Sequence, residues 1–151
     1  MEDLGAHSVV AVPLPTGASQ EEWRARVSQS LAGVAVEKTE ELREAVRLFL
    51  GAEAAQLAQQ IRAGGSGLAV SHQRAFLYSA LLQELWIRAG GDRTGDQLVL
   101  GAVGGFGRGE MSPASDLDLM FIREGSQAGV AEEVVKKVLY VLWDLGFKVG
   151  H

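Results

Sequence analysis

The chain has 151 residues, a formal net charge of -5, 47% hydrophobic and 22% charged residues, and no cysteine. That length suits one globular unit with a usable core, and no apolar run approaches the roughly 18 residues needed to span a bilayer. The absence of cysteine excludes disulfides and thiolate chemistry and fits a reducing compartment, while the negative charge disfavours a nucleic-acid-tracking surface but permits a local nucleotide pocket.

In chain order, residues 1–18 contain Pro13, Pro15 and Gly17 without periodicity and read as an irregular lead-in. Glu2 and Asp3 stand where a secretion signal would carry positive charge, so the expected location is the cytoplasm. Residues 19–92 form the helical region. Ser19 with Glu22 makes a capping-box signature, and Trp23, Val27, Leu31 and Val34 recur at helical spacing, placing a helix start at about Gln20. A second stripe runs through Leu42, Val46, Phe49 or Leu50, Leu57 and Ile61, so the region to Arg62 is expected to be helical in one bent or two pieces, with Gly33 and Gly51 as candidate breaks. After Gly64-Gly65-Ser66-Gly67, the residues Leu77, Leu81 and Leu85 mark another amphipathic helix ending near Gly90-Gly91. Trp23, Trp86 and Trp143 fall on helical stripes and read as core.

From Gly90 to Asp96 the chain is polar and glycine-rich, the expected subdomain boundary; residues 96–151 read as part of a sheet domain. Gln97–Val103 has the composition of a buried strand, and Asp116–Ile122 alternates carboxylates with large apolar residues at a period of two. A last helix carries Val130, Val134, Val138, Val141 or Leu142, and Leu145 on one face, with Glu132–Lys136 and Glu133–Lys137 pairs outside and Gly146 as the stop. Phe147–Val149 begins something extended.

The chemistry concentrates between the two strands. Gly104 and Gly105 directly after a strand let main-chain N–H groups approach an anion, and a short helix starting there would add its N-terminal amides. Arg108 adds a cation, and Ser115 is equally a phosphate contact or a turn former. On a strand, Asp116 and Asp118 share a face, about 6.6 Å apart along the backbone. With carboxylates about 5 Å apart and an effective dielectric near 20, their repulsion is about 3 kcal/mol, which a divalent cation would offset. Magnesium fits, because it takes a few carboxylates together with waters and substrate phosphates. Alone, the glycine run is equally a plain turn and the Asp pair more often a solvated strand face; together, between strands and about ten residues apart, they point to a metal–nucleotide site.

Two rival motifs fail. A dinucleotide fold needs a full crossover helix after its glycines, but Pro113 intervenes and the next strand arrives too soon. A calcium hand starting at Asp116 would need glycine and glutamate where Phe121 and Gln127 stand. His72 and His151 belong to no visible metal pair and read as surface or capping residues.

The run from Gly104 to Glu110, then Ser115-Asp116-Leu117-Asp118-Leu119, resembles the nucleotidyltransferase domain of the bacterial protein-PII uridylyltransferases, and Leu142 to His151 is similar to that family's next signature. The resemblance covers about residues 97–151. It implies an α/β (α+β) fold, with a helical N-terminal region before a partial polymerase-beta-like mixed sheet and flanking helices. It implies transfer of UMP from UTP to a tyrosine of the PII nitrogen-signalling protein, Gly104 and Gly105 holding the triphosphate and Asp116 and Asp118 the magnesium. Family members carry further C-terminal domains and, from a later strand, a third carboxylate; none can be nominated here, and Asp144 on the last helix is a poor substitute. The expectation is therefore an incomplete uridylyltransferase segment, weak or inactive alone. The alternatives are a related transferase, such as a protein adenylyltransferase, and a non-catalytic binding or assembly fragment.

Overall fold

The computed structural model describes residues 17–125 and 128–150, so most of the lead-in, and His151, lie outside the described residues. The elements are α1 (Gln20–Ser30), α2 (Thr39–Arg62), α3 (Gly67–Ala89), a 3-10 helix (Gly91–Gln97), β1 (Leu98–Ala102), α4 (Gly104–Gly107), β2 (Leu117–Arg123), α5 (Ala128–Asp144) and β3 (Val149–Gly150). They form an α/β fold in which a helical N-terminal region precedes a small mixed sheet. β2 is its central strand, antiparallel to β1 and parallel to β3. The parallel pair requires a crossover, which α5 supplies.

α1 starts where the capping box places it. The Ser19 hydroxyl accepts from the Glu22 N–H at 3.1 Å while the Glu22 carboxylate accepts from the Ser19 N–H, so first-turn donors are satisfied reciprocally. Trp23, Val27 and Leu31 are buried. The helical stretch to Arg62 is in two pieces, interrupted between Leu31 and Lys38; α2 runs unbroken through Gly51, where an added methyl would meet open space. α3 starts at Gly67, a turn and more before its leucine stripe, because the Ser66 side chain accepts from the Ala69 N–H. His72 therefore lies inside α3, and Gly90 ends the helix in a left-handed conformation.

α3 is the hub. Its residues Phe76, Leu77, Leu81, Leu82 and Leu85 are buried in one cluster with Val27 and Leu42 from the first helices, Leu100, Leu117 and Leu119 from the sheet, and Val138 and Leu142 from α5. Two polar ties cross it. The Trp23 indole N–H donates to Gln73 Oε1 at 3.0 Å in a buried setting. Arg88 donates to the Leu31 carbonyl at 2.8 Å and to the Val34 carbonyl, and pairs with Glu84 at 2.8 Å. One guanidinium thereby holds two carbonyls just past the end of α1, the Leu31 carbonyl also accepting from the Val34 N–H at 3.2 Å.

α5 departs from the expected stripe at two points. Val134, Val138, Val141 and Leu142 are buried, but Val130 is 67% exposed, one turn before the packed stretch. Trp143 is 44% exposed rather than core, because it shares the outer face with Tyr140, its ring 5.8 Å from that ring. Glu132 lies 3.7 Å from Arg123 of β2. Among the described residues, no helix is long and apolar enough to cross a membrane.

Candidate functional site

β2 alternates as its sequence requires: Leu117 and Leu119 are buried, while Asp118, Met120 and Ile122 occupy the opposite, open face. Both flanking strands pin the segment around Asp118. The Asp118 carbonyl accepts from the Val103 N–H at 2.9 Å on the β1 side, and the Leu117 N–H donates to the Lys148 carbonyl at 2.9 Å on the β3 side. Across β3, Asp118 is in register with Gly150.

This register places the carboxylate between two glycines. A methyl built on Gly104 would sit 2.7 Å from Asp118 Oδ2, and one built on Gly150 would sit 2.8 Å from Oδ1. A side chain at either position would force the carboxylate to shift, so the absence of Cβ on both flanks leaves the room it occupies. Gly104 also has φ of +60°, a conformation that L side chains rarely adopt.

The turn after β1 is a four-residue helix, α4. Its first backbone bond runs from the Gly107 N–H to the Val103 carbonyl at 2.9 Å, so the N–H groups of Gly104, Gly105 and Phe106 precede any intrahelical acceptor. Phe106 is buried and anchors the turn to the core. The turn closes with the Glu110 N–H donating to the Gly105 carbonyl at 2.9 Å. Donor amides and a half-buried carboxylate thus meet at one end of the sheet.

The other residues singled out by sequence are placed as follows. Asp116 is exposed and precedes β2 by one residue, so the strand begins later than the Asp-Leu-Asp pattern suggests. Arg108 is exposed, 3.5 Å from Glu110. The Ser115 hydroxyl is engaged within the turn, accepting from the Ser112 N–H at 2.9 Å and lying 2.8 Å from the Ser112 hydroxyl. Asp144 is exposed, the last residue of α5.

No protein-family profile matches the chain, and no solved structure matches it. Curated sequences do. The chain is 39% identical over 116 residues to a bifunctional uridylyltransferase/uridylyl-removing enzyme of Novosphingobium aromaticivorans, an alignment covering 72% of this chain and 13% of that protein. It is 55% identical over 64 residues to the enzyme of the same name from Phenylobacterium zucineum, covering 42% of this chain and 7% of that protein. The Caulobacter vibrioides enzyme is 40% identical over 100 residues, 62% of this chain and 11% of the relative. The chain is a relative of the bifunctional uridylyltransferase/uridylyl-removing enzymes. It spans about a tenth of the length of these uridylyltransferases.

Two features of this segment escaped sequence reasoning. Gly150 lies 32 residues beyond Asp118 in the sequence, and only the parallel β2–β3 pairing brings it to the carboxylate. Its signal, a glycine inside an extended segment, marks close approach of another group. Glu110, facing Arg108, carried only the signal of an acid two residues from a base.

Proposed function

We propose that this chain forms the nucleotide-binding end of a uridylyltransferase site, in which Asp118 together with Asp116 holds magnesium and the turn at Gly104 and Gly105 holds the triphosphate of UTP. The observation that carries the reading is the seat of Asp118, a carboxylate on the central strand with each oxygen against a glycine, beside the donor amides of α4. The relatives' name supports uridylyl transfer over transfer of another nucleotide.

The donors fit magnesium. Carboxylate oxygens are hard ligands, and one or two suffice when phosphate oxygens and waters complete the shell. Among the described residues, no group of three or more His, Cys, Asp or Glu side chains gathers to hold a metal, so the substrate would contribute ligands. Bound magnesium supplies charge neutralisation on the leaving pyrophosphate and polarisation of the α-phosphate.

The chain's own residues then act by position. The N–H groups of Gly104, Gly105 and Phe106 donate to phosphate oxygens, and the pinned backbone of β2 fixes the Asp118 carboxylate beside them, so charge is stabilised without reorganisation. Arg108 adds a guanidinium at the rim. In the whole protein, the reading extends to attack by a tyrosine hydroxyl of PII on the α-phosphorus of UTP, forming the UMP ester as the bond to pyrophosphate breaks.

Calorimetry of the chain with UTP and magnesium tests the binding part. The expected result is a saturable heat at millimolar ligand that Asp118→Asn abolishes while the melting temperature holds. Equal heat from the variant and the parent would contradict the assignment of Asp118. Transfer of radiolabel from UTP, with ATP as the comparison, to PII by the longer natural protein tests the reaction.

A further inference from the structure

A cavity of about 490 Å³ opens between α2, α3 and the loop that leads into β2. Its volume falls within the range of small-molecule sites, roughly 300–1,000 Å³. Leu57, Val70 and Met111 supply an apolar wall, and Ser112 lies on the loop side. Arg62 and Arg74 also line it, and no Asp or Glu does.

Arg74 is the unusual member. Its Nε is buried without a hydrogen-bond partner. Among the described residues its guanidinium takes part in no ion pair, nor does that of Arg62, whereas Arg26, Arg43, Arg47, Arg88, Arg108 and Arg123 are each paired with a glutamate. Arg74 lines the cavity through a guanidinium that no acid of the described fold neutralises, and a carboxylate entering the cavity would supply that missing charge-assisted bond. Two cations without a lining acid set the sign of the ligand, and the apolar wall sets its body.

We propose that this cavity binds a small organic carboxylate with an apolar body, its carboxylate on Arg74 with Arg62 at the mouth and its body against Leu57, Val70 and Met111. The site is independent of the nucleotide reading, because none of the residues assigned to magnesium or triphosphate lines it. Its rim is nonetheless the start of the carboxylate-bearing segment: the Met111 N–H donates to the Ser71 carbonyl at 3.3 Å, and the chain then runs through Ser112 and Ser115 to Asp116.

Amide NMR of the full chain titrated with 4-phenylbutyrate tests this, with 4-phenylbutan-1-ol and acetate as comparisons. The expected result is saturable shifts at Val70, Arg74, Met111 and Ser112 with phenylbutyrate, and affinities at least tenfold weaker for both comparison compounds. Arg74→Met, which keeps the aliphatic stem, should weaken phenylbutyrate at least tenfold. Arg62→Met, on an exposed side chain, gives the same comparison without risk to the fold. The surface variant Arg43→Met should not change the affinity. Absence of saturable shifts, equal binding of the alcohol, equal binding of acetate, or unchanged affinity in both cavity variants would each overturn the proposal.

Discussion

The Asp118 carboxylate has room because Gly104 and Gly150, packed against its two oxygens, have no Cβ, which makes these glycines more informative to change than the acid itself. In Gly150→Ala the new methyl would lie 2.8 Å from Asp118 Oδ1, and the carboxylate, at the free end of a short side chain, must swing away. The predicted result is at least a tenfold loss of magnesium-dependent UTP binding with little change in stability, measured by calorimetry alongside thermal melting. Gly104→Ala displaces Oδ2 in the same way but adds the left-handed backbone at +60°, which costs about 1–2 kcal/mol. It should therefore lose both binding and stability. The glycine turn and the acid pattern were legible in the sequence because both are local. The Gly150 contact was not, because it depends on a parallel strand pairing set by a whole intervening helix, and no period in the sequence records that register.

Among the elements, α1 depends on its cap and on its tie to α3. Ser19→Ala removes the hydroxyl that accepts from Glu22 N–H and should cost about 1 kcal/mol in urea denaturation. Hydrogen bonds from the Ser19 backbone and hydroxyl also hold the Glu22 carboxyl below the usual carboxylate range, with Arg26 adding a smaller pull against desolvation. A depressed folded-state pKa gives a contribution that is complete above the unfolded value and is lost as pH falls through the lowered one. The acid-side decline in stability should accordingly be shallower in Glu22→Gln, read as urea midpoints from about pH 6 to about pH 3. At the other end of α1, Arg88→Met leaves the Val34 carbonyl without its side-chain donor and the Leu31 carbonyl with only the Val34 N–H at 3.2 Å, and should cost about 1–3 kcal/mol. Helical periodicity located α1 and α3, since their apolar faces carry the core. It misjudged Gly51, because Leu42, Val46 and Leu57 bury enough of α2 to absorb the roughly 1 kcal/mol a mid-helix glycine costs. It misjudged Trp143 as well, since helical spacing alone does not say which face meets the core.

Across the whole molecule, one apolar cluster runs from Trp23 on α1 to Leu142 on α5 and includes both faces of α3. Helical region and sheet should therefore unfold together, and Leu142→Ala, removing a fully buried side chain, should cost about 2–5 kcal/mol and lower a single transition followed by both far-ultraviolet circular dichroism and tryptophan fluorescence. Separate transitions by the two probes would contradict one shared core. That core is also what makes the site rigid: buried Leu117 and Leu119 fix β2, buried Phe106 fixes the turn, and the open face of the sheet is left to Asp118 and its glycines. The measurement that tests this account most directly is paramagnetic broadening of the backbone amide signals by manganese in the presence of UTP. Broadening centred on Gly104, Gly105, Asp118 and Gly150, and absent from Asp118→Asn, is the predicted result. Broadening centred elsewhere, or unchanged in that variant, would contradict it.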